Sequence, residues 1–518
     1  MDGRLNVDQR AAALVELPRT RYDLVVVGGG VLGAGIALDA TTRGLRVALI
    51  EAADWAGGAS GRTGKIMAGR PRTRTEDLRA IPVLRRERTR LLDRLAPHLV
   101  RRVPMLQPVA SPWDRVAIAA ELIAQDAPVP RTGRAGLLPA HRQLPRRSVR
   151  RIAPALRPEL ITGGVQYFEA ECDDARFVLA LVRTAELYGT TLAHHCSALE
   201  LITGDGDGVV TGVRVRDDLA AEEFVINAAT VVVAAGANTP DLVGDRISLP
   251  RIDRQRRAYL VLPRDRIRAS TGIVLDDQGI SLVPWGRHWI VGPSRSPVGD
   301  GPIRPFDDHD RRLILDAVNP QLARPLGPSD IESGYAGSHP VITDAAGHDR
   351  DRWIGTAPGL VTAVTAEAAG YRDLAARAVD AAGGLIGGLV PKAITDRVPL
   401  LGADGYFARW NQRHLLARRA GLHVARVEHL LRRHGAALDP VLELIMDHPE
   451  LGRPLPGAED YLAAEVVHAV THEGAVTVDD VLYRRTGIAY ETVDGGRAAT
   501  SAIADLMSRW AAGTPNTP

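Results

Sequence analysis

The stretch VVVGGGVLGAGIALDATTRGLRVALIE, residues 25 to 51, decides the fold of this chain. A β-branched apolar run at 22–27 reads as a buried parallel strand, and glycines follow at once. Small and apolar residues then recur at helical spacing over 31–43, Gly44 stops the helix, and 45–50 reads as a second buried strand ending in Glu51. Gly28, Gly30 and Gly33 therefore form a GxGxxG between a strand and a helix. Gly28 permits the tight turn, Gly30 lets a pyrophosphate approach the amides at the helix N-terminus, and Gly33 lets the helix pack closely on the strand. Glu51 sits where an acidic side chain accepts hydrogen bonds from a ribose hydroxyl. The pattern is that of a dinucleotide-binding βαβ unit.

The position of this unit near the N-terminus of a long chain favours FAD over NAD. So does the later strand TVVVAAGANTP, whose Ala235 and Gly236 resemble the second flavin-contacting segment of two-dinucleotide-domain flavoproteins. An acid at the ribose argues against NADP. At 518 residues the chain exceeds one hydrophobic core, and two or three domains are expected. A net charge of +2 gives no reason to expect a nucleic-acid partner. The two cysteines, Cys172 and Cys196, have neither CxxC nor histidine pairs at ligand spacing, so no metal site and no disulfide framework is expected, and a reducing cytoplasm fits. His194, His195 and Cys196 adjoin, but neighbours on a strand face opposite ways. The N-terminus has no apolar targeting core and no window reaches 18 uninterrupted apolar residues, so a membrane is met from its surface.

Residues 1–20 read as a short helix or loose leader, 21–390 as an α/β FAD-dependent oxidoreductase domain, 391–512 as an all-α C-terminal domain, and 513–518 as a disordered tail. Within the larger domain, 54–74 is a loop rich in Gly, Ser, Thr and Arg that should lie over something. Helices are expected at 84–99 and 173–188, strands at 191–201, 208–215 and 230–235, and an irregular excursion at 111–150. Strand and turn signals from 257 to about 303 suggest an inserted antiparallel sheet, the usual place for a substrate cap.

Several segments carry a resemblance to one family, the FAD-dependent, quinone-linked glycerol-3-phosphate dehydrogenases. The opening GGGVLGAGIALDATTRGLRVALIE is similar to that family's, as are GGVQYFEAECDDARFVLALVRTA at 163–185, VPWGRHWIVG at 283–292, DIESGYAG at 330–337 and AAEVVHAVTHEGAVTVDDVLYRRTGI at 463–488. The resemblance implies an FAD-binding domain of the glycine/D-amino-acid oxidase type, with an antiparallel substrate-binding sheet and a C-terminal helical domain. It implies oxidation of sn-glycerol 3-phosphate to dihydroxyacetone phosphate, with electrons passed to quinone or another acceptor. Contact with the inner face of the membrane, and a dimer, are both compatible with it.

The chemistry needs a base for the hydroxyl proton and cations for the phosphate. Where the family has approximately SSRSTKLIHGGLRYL, this chain reads ASGRTGKIMAGRPRTR: Ser60, Arg62, Lys65, Gly69 and Arg72 are kept, while Ala68, Arg70 and Thr73 replace histidine, glycine and tyrosine. Tyr259 and Arg257 replace a histidine and a glycine in the GSHIVV-like strand. Arg295 stands in place of an acid, and His339 in place of the phosphate-binding arginine. In TAEAAGYR at 365–372, Thr365 and Ala366 replace two glycines, Glu367 a lysine and Ala369 a threonine, while Tyr371 and Arg372 remain. Each charged hydrogen bond lost to a phosphate removes about 1.5–3 kcal/mol.

The candidates are therefore His339, Arg72 and Tyr259 for catalysis, with His339 as the base, since an imidazole in general titrates near neutrality. Arg72, Arg257, Arg295, His339 and Arg372 are the candidates for substrate binding. Gly28, Gly30, Gly33, Glu51, Ser60, Lys65, Cys196, Ala235 and Gly236 are those for the cofactor. Three readings stand: a glycerol-3-phosphate dehydrogenase with a rearranged site, a flavoenzyme of the same fold for another small anionic hydroxy or amino compound, and a non-catalytic FAD-binding relative acting as scaffold or partner.

Overall fold

The structure, a computed structural model, describes residues 3–67, 80–111, 113, 114, 116, 118, 139–204, 206, 208–275, 279–298, 303–387 and 389–511. Expectations placed on Ala68, Arg70, Arg72, Thr73 and the tail at 513–518 fall outside these residues, as does most of the stretch at 111–150.

Among the described residues the strands form an eight-stranded, a ten-stranded and a two-stranded sheet. The strand Arg21–Val27 lies at the centre of the first, parallel to Val47–Glu51 on one side and Glu222–Val233 on the other. Thr191–His194 and Leu360–Thr365 continue it outward in parallel, and Arg352–Ala357 closes one edge antiparallel. Both faces are covered, which is why the strands are continuous apolar runs. Leu24, Val26 and Leu49 pack under the helices, while Val25, Ile50 and Val213 fill the opposite side.

The helix Val31–Thr42 is buried almost all round. Gly35 has no side chain because the Tyr371 ring passes there: a Cβ would stand 2.6 Å from the ring, so the helix Tyr371–Ile386 can lie directly across it. The expected strand at 191–201 is in fact two, Thr191–His194 and Cys196–Thr203, because His195 takes a left-handed backbone (φ 52°) between them. The helix expected at 84–99 is Ala80–Arg90 plus a wide turn at Leu91–Leu95.

The second sheet is larger than the window at 257–303. It collects Ile66–Met67, Val100–Val109, Arg142–Pro145 and Gly163–Cys172 as well as Arg251–Pro263, Gly272–Val274, Ser281–Trp285, His288–Pro297, Ser333–Thr343 and Asp349–Arg350. Its pairings are antiparallel except for Gly272–Val274 beside Val100–Val109. Pleat alternation splits the strand Arg251–Pro263 between two cores: Leu260 and Leu262 join one, Tyr259 and Val261 the other.

Beyond residue 400 the chain is mostly helical, with a core of its own that includes Val427, Leu431, Val441 and Val467. A short ladder, Pro454–Leu455 with Ala458–Leu462, is an addition to the helices expected there. The leader contains a helix, Val7–Glu16, capped by Asn6 and tied down by Arg10 on Asp217 at 2.6 Å. No helix among the described residues is long and apolar enough to cross a membrane.

Candidate functional site

A cleft of about 750 Å³ opens at the carboxyl ends of the parallel strands, where open α/β sheets place their ligands. Its first end is backbone. Gly28 has φ 114° and faces the chain at Ala234 so closely that a Cβ would stand 2.5 Å from the Ala234 carbonyl oxygen. A Cβ on Gly33 would stand 1.7 Å from the Gly28 carbonyl oxygen, and one on Gly30 would meet Ser60 Oγ at 2.9 Å. Ser60 Oγ accepts from Val31 N at 3.0 Å, so a hydroxyl sits at the helix N-terminus. Glu51 accepts from Gly29 N at 2.5 Å and from Ala53 N at 2.9 Å, and its enclosure in the wall pushes the carboxyl above the usual range. Ala235 and Gly236 line the same cleft from the end of the strand Glu222–Val233. A pyrophosphate fits between the Gly28–Gly30 turn and the helix, and a ribose fits against Glu51, so these walls suit the ADP half of FAD.

Gly29 is a residue the sequence reading passed over. A Cβ there would stand 2.5 Å from the buried Trp55 ring, so all three consecutive glycines are needed. A run of three glycines was the available signal; the indole that presses on the middle one comes from the following loop.

The other end of the cleft is made of side chains. His339, Ser338 and Pro340 enter from the strand Ser333–Thr343, Arg62 from the loop after Ser60, and Thr365, Ala366 and Glu367 from the turn before the helix Tyr371–Ile386. His339 is buried, and its Nε2 stands 3.2 Å from the Arg62 carbonyl oxygen. That oxygen only accepts, so Nε2 carries the proton and the basic lone pair lies on Nδ1. Strand register puts Gln255 opposite His339, and Arg257 opposite both Gly337 and Arg295. The side chains of His339, Arg257 and Arg295 therefore share one face of the sheet, with Arg257, bonded to Gln255 at 3.0 Å, and Arg295 set back along it from the cleft wall.

Four sequence candidates lie elsewhere. Lys65 is buried, with Nζ 2.5 Å from Asp174 and 5.4–5.5 Å from the rings of Trp285, Tyr335 and Tyr490. Burial alone would lower its pKa; Asp174 more than offsets this and holds it raised. Its ammonium pins the loop to the helix Asp174–Leu187 rather than facing the cleft. Arg372 turns outward from its helix and grips Glu87 through two bonds, at 2.5 and 2.7 Å. Tyr259 is buried flat against Tyr335, centroids 5.2 Å apart, with its ring edge on Gly64, so it fills the space between sheet and loop. Cys196 lies on the far side of the first sheet, beside Arg10 Nη2 at 3.8 Å, and burial pushes its thiol up to about 12. The left-handed turn at His195 is what sends it there.

Away from the cleft, His434, His468 and Glu473 bring ligand atoms within 4.8 Å of one another. Arg176 already donates to Glu473 at 2.6 Å and stands 3.1 Å from His434 Nδ1, and Arg183 approaches Glu473 at 3.4 Å, so the cluster's negative charge is matched by guanidinium. Its place is the junction between the helical domain and the helix Asp174–Leu187. A second junction lies close to the cleft: Arg485 holds Asp54 with bonds of 2.6 and 2.7 Å, and Arg484 joins them. Burial would raise the Asp54 carboxyl, but the Arg485 guanidinium brings it below the usual range.

A family model described as FAD dependent oxidoreductase matches residues 23–376, and one described as the C-terminal domain of alpha-glycerophosphate oxidase matches 393–512. A glycerol-3-phosphate dehydrogenase of Mycobacterium leprae is 36% identical over 516 residues, 97% of this chain and 87% of that protein. Glycerol-3-phosphate dehydrogenase 2 of Mycobacterium tuberculosis is 36% identical over 96% of this chain and 86% of its own length. Among solved structures, the glycerol-3-phosphate dehydrogenase of Bacillus halodurans complexed with FAD superposes with a TM-score of 0.80 at 24% identity, covering 98% of this chain and 93% of that one. At that identity it speaks for the fold.

Proposed function

We propose, on the premise that this chain belongs to the FAD-dependent oxidoreductases and among them to the glycerol-3-phosphate dehydrogenases, that it oxidises sn-glycerol 3-phosphate to dihydroxyacetone phosphate. The observation that carries this is the continuity of one cleft from the glycine cradle to the sheet face bearing His339. FAD held there would supply the acceptor for the C2 hydrogen, taken as hydride. Gly28, Gly30 and Ser60 would hold its pyrophosphate at the helix N-terminus, and Glu51 its ribose. His339 takes the hydroxyl proton on Nδ1 while the Arg62 carbonyl fixes its ring. Arg257 and Arg295, on the same face, supply positive charge toward the phosphate.

The electron acceptor in this reading is a quinone, met in the cytoplasm at the inner face of the membrane. Support comes from the exposed arginines Arg146, Arg147, Arg150 and Arg151 on the helix Arg146–Ile152, a basic face suited to anionic lipid. Addition of glycerol 3-phosphate without oxygen to the flavin-loaded protein is expected to bleach the visible flavin band; an unchanged spectrum sinks the proposal. One observation favours a second reading. The acidic residue Glu367 lines the cleft wall, which suits a small anionic substrate that also bears an amino group, and bleaching by such a compound in preference to glycerol 3-phosphate would select it.

A further inference from the structure

We infer that Arg62 is the residue that grips the anionic group of the substrate, standing in for the arginine that the strand Ser333–Thr343 lacks at His339. The inference rests on the reading of the cleft as the site of a small anionic alcohol, and it names the side chain that selects for the anion.

Arg62 leaves a short turn at Ala59–Gly61 and is half-buried in the cleft wall. Its backbone is held firmly: the amide donates to the Ala59 carbonyl at 3.1 Å and the carbonyl faces His339 Nε2. The next residue is locked as well, since Thr63 N and Oγ1 both donate to Asp174 Oδ2, at 2.9 and 2.8 Å, and Tyr335 donates to the Thr63 carbonyl at 2.6 Å. Only the side chain of Arg62 is left to respond to a ligand.

That side chain lies across Gly337, where a Cβ would stand 2.8 Å from Arg62 Cβ and 3.5 Å from its Cδ. Gly337 and His339 share a face of the strand, and His339 Nε2 would stand 3.4 Å from that same Cβ added at Gly337. The imidazole and the Arg62 side chain therefore meet over Gly337, where a small phosphate-bearing alcohol reaches both. Arg257, directly opposite Gly337, adds its charge behind the same spot.

Other guanidinium groups nearby are engaged. Arg254, also in the wall, is paired with Asp241, Arg256 with Asp310, and Arg372 with Glu87. The Arg62 guanidinium makes no hydrogen bond or salt bridge among the described residues. A planar fork of donors in a cleft is matched to a phosphate or carboxylate, which it can take through two parallel bonds.

The test uses the flavin-loaded full chain and the variants Arg62→Ala and Arg62→Lys, read two ways: the KM for glycerol 3-phosphate, and the rise in melting temperature that inorganic phosphate produces. Arg62→Ala is expected to raise KM by about 10- to 100-fold with a much smaller change in kcat, and to lose the phosphate-induced rise. Arg62→Lys, which keeps the charge but not the fork, is expected to recover part of both. If the parent is reduced by glycerol 3-phosphate and Arg62→Ala keeps a KM within about twofold of it, the inference falls while the proposed function stands. If the parent is not reduced but phosphate raises its melting temperature and Arg62→Ala abolishes that rise, the proposed substrate falls and the inference stands. Phosphate acting equally on all three proteins, or on none, overturns the inference whatever the substrate.

Discussion

At the nucleotide end of the cleft the work is done largely by backbone: Gly28, Gly29, Gly30 and Gly33 are there because a Cβ would collide with main chain, with Trp55 or with Ser60, and Glu51 and Ser60 add side-chain acceptors. At the substrate end the work is done by side chains carried on three separate segments, Arg62 on a loop, His339 on a strand and Glu367 on the turn before a helix. The first end tolerates no substitution at its glycines and little variation in its ligand. The second can exchange one cation for another from a different direction and still face the same space. A family fold can therefore keep its cofactor while its substrate contacts are rearranged.

The largest effect expected is from Gly33→Ala. With its Cβ 1.7 Å from a carbonyl oxygen, the helix Val31–Thr42 must move off the strand, and the purified protein should be colourless and destabilised by more than about 4 kcal/mol. Retention of flavin by this variant would break the contrast between the two ends. Next is Arg485→Ala, which removes the two-bond partner of the buried Asp54 carboxylate just beyond Glu51 and leaves Arg484 beside it. A loss of about 3–5 kcal/mol in denaturant unfolding is expected, with weaker FAD binding but an unaltered KM for substrate in the protein that remains loaded.

The contrast is sharpened from the other end by Glu367→Lys. Replacing a carboxylate in the wall with an ammonium should raise kcat/KM for glycerol 3-phosphate by about 10- to 100-fold without changing flavin content. A fall in kcat/KM, or loss of flavin, would instead place Glu367 in the service of a different substrate. The smallest effect concerns Glu51. Its enclosed carboxyl has a raised pKa, so it protonates at a higher pH than an ordinary glutamate and loses its charge as an acceptor for ribose hydroxyls. FAD affinity should therefore fall as pH drops through a window above the usual carboxylate range. In Glu51→Gln, binding at neutral pH should be about tenfold weaker and the acid step absent, as titration by flavin fluorescence would show.

The same contrast explains what could be seen in the sequence. Gly28, Gly30, Gly33 and Glu51 were legible because a backbone turn imposes residue type at fixed offsets within one short segment. Lys65 and Arg372 were misplaced because their partners are far off in the chain: the cage around Lys65 comes from Trp285, Tyr335 and Tyr490, and the acid that holds Arg372 is Glu87. His339, Arg257 and Arg295 could be named from the motifs they interrupt, but their shared face depends on the register of three strands. The breadth of the second sheet was hidden by its own residues. The strand Val100–Val109 carries Pro104, Pro108 and two adjacent arginines, none of which signals a strand flanked on both sides. Arg62 was visible only as a matched residue, since its lack of a partner is a property of the folded cleft.

The contacts between Asp54 and the turn Asp480–Thr486 join the far end of the chain to the loop that follows Glu51. His195 Nε2 adds a contact to Asp480 at 3.5 Å, from the turn just after the strand next to Glu51. The helical region thus braces the loop beside the cleft, although among the described residues none of it lines the cleft itself. In the language of cooperativity, release of flavin and undocking of the last quarter of the chain are expected to be one event. A calorimetric scan should then record a single transition that free FAD moves as a whole, rather than two domains melting apart.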